Sequence, residues 1–154
     1  MQPAQRGIIP QYNWDTNLNF VVNGTGSIYQ GQGWSIPELA HTWTMGSESS
    51  LILSLKDIPE KIFLTMDANA FTGPGLDSQI LQIIINNKEL SDPIFMDNQI
   101  QNITIEVPSG YLISGTNTIT FNLPNATSPK SLGISEDDRS LGIAVRTIAL
   151  TTSR

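Results

Sequence analysis

The stretch IFLTMDAN, Ile62 to Asn69, places apolar side chains at Ile62, Leu64, Met66 and Ala68 and polar ones at Thr65, Asp67 and Asn69. A strand turns successive side chains to opposite faces, so this period of two marks a β-strand with one buried face. The pattern recurs in both directions along the chain. Leu18, Phe20 and Val22 alternate with asparagines, and Leu51, Leu53 and Leu55 form another set. Leu81, Ile83 and Ile85, then Ile103, Ile105 and Val107, then Ile119, Phe121 and Leu123 continue it. Each run closes on turn residues: NGTG at Asn23, FTGPG at Phe71, NNK at Asn86, PSG at Pro108 and SGTN at Ser114. Short alternating strands separated by Gly, Pro and Asn predict an all-β chain. The economical arrangement is a two-sheet antiparallel β-sandwich, jelly-roll-like, with roughly nine or ten strands.

Two runs depart from clean alternation. In QILQIIIN, Gln79 to Asn86, Ile80 and Ile84 make the second face apolar as well, which predicts a strand covered on both sides or a face used for contact. In LGIAVRTIAL, Leu141 to Leu150, the apolar phase slips around Arg146 and Thr147, which predicts a β-bulge. No segment has the periodicity of an ordinary amphipathic helix; short helical turns are expected near Ile36 to Ala40 and Pro59 to Lys61. Residues 1–154 read as one domain.

The composition narrows function. The 154-residue chain has no cysteine, so disulfides and thiol chemistry are excluded. Charged residues make up 14% and the net charge is −6. Nucleic-acid binding, which needs clustered Lys and Arg, is therefore not expected. No apolar run approaches the length of a membrane-spanning helix, so no membrane insertion is expected. MQPAQRG at the start lacks the features of a signal peptide, and an extracytoplasmic setting, periplasmic or cell-surface, is favoured for a chain without cysteine.

Two corners hold the unusual residues. GQGWSIPELAHTW, Gly31 to Trp43, contains two of the three tryptophans and the only histidine. Pro37 biases Ile36 to an extended backbone, while Gly31 and Gly33 permit a tight turn or a close approach. SPKSLGISEDDRSLGIAV, Ser128 to Val145, sets Glu136, Asp137, Asp138 and Arg139 between two Leu-Gly pairs. Gly33, Trp34, Ser35, Pro37, Glu38 and Trp43, together with Ser128, Pro129, Leu132, Gly133, Asp137 or Asp138, Arg139, Leu141, Gly142, Ile143 and Ala144, form a pattern. It resembles β-sandwich modules associated with bacterial polysaccharide-biosynthesis and membrane glycosyltransferase-type proteins. The resemblance covers residues 29–150 and implies a carbohydrate context, with an oligosaccharide or polysaccharide as partner and a protein of that machinery as a second.

The candidate ligand-binding residues are Trp34, Glu38, His41, Trp43, Asp138 and Arg139. An indole offers a flat surface to the apolar C–H face of a pyranose, and the others hold hydrogen-bonding groups for its hydroxyls. Either indole also suits a packed core. Tyr12 and Trp14 form a second, weaker platform. Glu38 and Arg139 are expected to meet, as a structural bidentate pair or beside a ligand. No catalytic set is legible, because GxSxG is absent and no spacing favours paired carboxylates. No cofactor is required, although Glu136, Asp137 and Asp138 offer hard oxygens to calcium. If the outer faces around Thr65, Asp67 and Asn69; Gln82 and Asn86; Asn102, Thr104 and Glu106; and Thr118, Thr120 and Asn122 share one sheet, they form an amide and hydroxyl surface suited to a glycan. The reading is a non-catalytic carbohydrate-binding module. The alternative is a structural or protein-interaction accessory domain, and a third reading, a glycan hydrolase or esterase, needs two carboxylates facing each other across a cleft.

Overall fold

A computed structural model describes residues 8–152. Ten strands follow one another: β1 (Leu18–Asn19), β2 (Thr42–Met45), β3 (Glu48–Leu55), β4 (Ile62–Ala70), β5 (Gln79–Ile85), β6 (Lys88–Glu89), β7 (Ile94–Met96), β8 (Gln101–Val107), β9 (Gly115–Asn122) and β10 (Leu141–Thr151). They form two five-stranded antiparallel sheets. The first runs β1-β10-β4-β8, with β2 also on β10; the second runs β3-β9-β5-β6, with β7 also on β5. From β2 to β5 and again from β7 to β10 the chain changes sheet at each step, which gives the jelly-roll-like sandwich its mostly non-local pairing.

The alternation works as read. Leu51, Leu53 and Leu55 of β3, Leu64, Met66 and Ala68 of β4, Leu81, Ile83 and Ile85 of β5, and Ile119 and Phe121 of β9 are all buried between the sheets. Complete removal of a side chain of this size from water contributes about 1.5–3 kcal/mol, so the shared inner face dominates the stability. Asn86 and Asn87 adopt φ of 49° and 69°, the left-handed geometry of a tight two-residue hairpin, and join β5 to β6.

Several expectations change. Phe20 is buried but Val22 is exposed, because β1 ends at Asn19 and a turn follows. Ile103 and Ile105 are only half-buried, since β8 lies at the edge of its sheet. Ile80 and Ile84 are half-buried as well, so the second face of β5 is open rather than covered. The segments 36–40 and 59–61 are not helical; among the described residues the helical turn is a 3-10 one at Ser27–Tyr29. The polar outer faces do not share a sheet. Thr65, Asp67, Asn102 and Thr104 lie on the first, and Gln82, Thr118, Thr120 and Asn122 on the second.

The predicted bulge is present. Against β4 the register of β10 shifts between Val145 and Thr147. Val145 and Ile148 stay buried, so the extra residue leaves Arg146 and Thr147 together on the outer face, both half-buried.

Candidate functional site

The Gly31 corner is built on backbone bonds that only a glycine-rich segment accepts. Gly33 adopts φ of +86°, and a Cβ there would run into the carbonyl of Glu48. The chain is thereby pressed along β2: Met45 donates to the Gly33 carbonyl at 2.7 Å and Ser35 donates to that of Trp43 at 2.9 Å. Glu38 and His41 close the turn through a 2.8 Å bond from the Glu38 amide.

The period of two then separates the two tryptophans. Trp34 points toward the interior. Its ring stacks on Phe20 with centroids 5.6 Å apart and 12° between planes, and meets Phe121 edge-on at 6.2 Å. Its indole N–H donates to the Ser50 carbonyl at 2.8 Å. Trp34 is a packing residue at the end of the sandwich, with its polar group already engaged. Thr42 and Thr44 of β2 are also buried; the Thr42 hydroxyl donates to the Phe20 carbonyl at 2.6 Å, and the Thr44 hydroxyl accepts from the Ile143 amide at 2.9 Å. His41 and Trp43 therefore face outward. The His41 ring lies edge-on to Trp43 at 5.3 Å, and Phe71 meets Trp43 edge-on at 6.3 Å, which fixes the indole in place.

The second corner reaches this face through Arg139. Its bidentate partner is Asp137, not Glu38: Nε donates at 2.9 Å to Oδ1 and Nη2 at 2.6 Å to Oδ2. Nη1 donates to the Ser35 hydroxyl at 2.8 Å, and Glu38 stands at 3.6 Å. Glu38 also approaches His41 Nε2 at 3.7 Å. The hydrogen bonds from Arg139 hold the Asp137 carboxyl down at about 2. Burial pushes the His41 imidazole below its ordinary range; Arg146 and Arg139 add to this, and Glu38 opposes it. Asp138 is exposed and stands outside these contacts.

Of the six sequence candidates, Glu38, His41, Trp43 and Arg139 come together, while Trp34 and Asp138 do not join them. Arg146 was absent from that set. The register Val145 to Thr42 places it beside His41, and its Nε is buried with no hydrogen-bond partner among the described residues. The phase slip that predicted the bulge was the signal for it. On the neighbouring row, Ala144 pairs with Trp43 on one side and Asn69 on the other. Trp43 and Asn69 thus stand two strands apart, about 9–10 Å, with only a methyl group between them.

The other platform is not formed. Tyr12 is buried in the core, and the indole N–H of Trp14 donates to the Lys56 carbonyl at 2.9 Å. Glu136, Asp137 and Asp138 do not converge either. Asp137 is taken by Arg139, Glu136 approaches Lys130, and among the described residues no group of three or more such ligands is placed to hold a metal ion.

No family model matches the sequence, and no curated protein matches it. In fold, the chain is similar to the CBM36-1 domain of a multidomain xylanase from the hindgut metagenome of Trinervitermes trinervoides. The TM-score is 0.53 at 11% identity, over 90% of this chain and 98% of that one. It is also similar to the Podospora anserina GH26-CBM35 β-(1,4)-mannanase, with a TM-score of 0.50 at 14% identity, over 80% of this chain and 25% of that one. A carbohydrate-binding module, CBM36, in complex with calcium and xylotriose matches at a TM-score of 0.46 and 9% identity, over 80% of this chain and 88% of that one. At these identities the likeness is one of fold.

Proposed function

We propose that this chain is a non-catalytic carbohydrate-binding module that takes a glycan on the outer face of β2. The observation that carries the reading is Trp43, an outward indole clamped by His41 and Phe71 and bordered by polar groups that the fold leaves available. A pyranose ring laid on Trp43 spans Ala144 toward Asn69. Its hydroxyls then meet the Asn69 amide, the Arg146 guanidinium and the Glu38 carboxylate. The Arg146 guanidinium stands half-buried on this face with its Nε unpartnered among the described residues, and a sugar hydroxyl bonded to the guanidinium there is partly shielded from water, which strengthens the bond. The fold shared with the CBM36-1 domain of a xylanase and with a quarter of a GH26-CBM35 β-(1,4)-mannanase supports a carbohydrate ligand. The association with polysaccharide-biosynthesis or glycosyltransferase proteins belongs to this proposal and rests on the two corner motifs; the extracytoplasmic setting belongs to it too and rests on the absence of cysteine.

A second reading, a scaffolding domain, is favoured by the internal commitments of Trp34 and Arg139. The two separate in one experiment. Intrinsic fluorescence is titrated with xylo-, manno- and cello-oligosaccharides, using wild type and Trp43→Ala. A saturable change that Trp43→Ala abolishes, in a variant that remains folded, is the expected result. No response to any of the three sugars overturns the binding reading and leaves the scaffold.

A further inference from the structure

On the opposite side of the sandwich, the outer face of the second sheet carries an open cleft of about 390 Å³. Ile80, Pro93 and Pro124 make it mainly apolar, and Ser47, Gln82 and Asn122 supply its polar groups. The cleft is built rather than incidental. Gln82 and Asn122 are directly paired across β5 and β9, so their side chains rise side by side from the floor. The Gln82 amide donates to the Ser91 carbonyl at 2.7 Å and ties down the loop that bears Pro93. The Asn125 side chain accepts from the Ile80 amide at 3.0 Å and pins the corner that bears Pro124. Both walls are thus anchored to β5. Phe95, opposite Ile80 in the register, is 69% exposed and extends the apolar surface along the same face.

We infer that this cleft is a second binding site, for a neutral oligosaccharide. None of its six lining side chains is charged, and the charge nearest in the register, Glu48 beside Asn122 on β3, is a carboxylate, so the cleft offers no cation to an anionic ligand. The Asn122 amide and the Ser47 hydroxyl make no side-chain hydrogen bond among the described residues, and the Gln82 carbonyl accepts none. Together they offer donors and acceptors within one ring's width. An apolar side chain would bury these groups without partners, which costs free energy. A ring with an apolar C–H face and hydroxyls at its rim satisfies both the walls and the floor. The volume accommodates a short oligosaccharide, within the range of small-ligand sites. The inference shares its ligand class with the proposed function but uses no residue of the Trp43 face.

Heteronuclear NMR titration of cellohexaose, xylohexaose and mannohexaose into wild type, Trp43→Ala and Asn122→Ala tests it. At least one sugar is expected to shift the amides of Ile80, Gln82 and Asn122 saturably, in wild type and Trp43→Ala alike. The affinity should not change with salt. Asn122→Ala removes a side chain that makes no hydrogen bond among the described residues, so the fold persists and the cleft's affinity drops roughly tenfold. Shifts confined to the Trp43 side overturn this inference and leave the proposed function intact. Cleft shifts that keep full affinity in Asn122→Ala also overturn it, and no shift with any sugar overturns both.

Discussion

Trp34→Ala should act on stability and spare the Trp43 face. The substitution removes a ring stacked on Phe20 and set edge-on to Phe121, together with one hydrogen bond. Truncation of a fully buried tryptophan costs about 3–5 kcal/mol, and a half-buried one about 2–3. The hydrogen bond adds little beyond its net value of about 0.5–1.5 kcal/mol. The Ser50 carbonyl keeps a second donor, the Gly31 amide at 2.8 Å, and so is not orphaned. The expected loss is about 3 kcal/mol, a large share of the roughly 5–15 kcal/mol typical of a domain. Urea unfolding followed by far-ultraviolet circular dichroism should show an earlier midpoint at unchanged slope. The melting temperature should fall by about 6–12 °C. Trp34→Phe, which keeps an aromatic stack and loses the N–H, should recover most of the difference. A Trp34→Ala protein within about 0.5 kcal/mol of wild type that no longer binds sugar would refute the packing argument.

Three further outcomes concern the two corners. Gly33→Ala forces a Cβ into the Glu48 carbonyl at a positive φ, and should cost about 2–4 kcal/mol by urea unfolding. The folded Asp137 carboxyl, held at about 2 against an ordinary 3.8, favours the fold above the ordinary value; that contribution fades as pH falls from about 4 through 2. Carbon-detected NMR of the Asp137 carboxyl should show this low inflection, and Arg139→Met should return it toward normal. His41 is depressed below an ordinary imidazole's 6.5, so the unfolded chain binds more protons between the folded value and 6.5. Stability should therefore decline as pH falls through 6.5, and His41→Gln should flatten that decline in pH-dependent melting.

Strands were legible because their signal is local. Alternation along IFLTMDAN or SLILSL reports which side chains face the core whatever the partner strand, and the phase slip in LGIAVRTIAL reported the bulge for the same reason. The need for glycine at Gly33 was likewise legible as a close-approach position, because backbone freedom belongs to the residue itself.

Partnership was not legible. Trp34 and Trp43 look alike in GQGWSIPELAHTW, and only the pressing of Gly33 along β2 turns one inward and the other out. Among three successive acids, the turn geometry of the second corner, rather than charge, chose Asp137 for Arg139. The pairing of Gln82 with Asn122, and the floor it makes, exists only because β5 and β9 lie side by side in one sheet. The sequence by itself determined which residues form strands and which of their faces are apolar, since a period of two is written in each segment. The tertiary structure decided which faces share a sheet and which side chains meet, since those contacts arise from long-range pairing that a single segment does not encode.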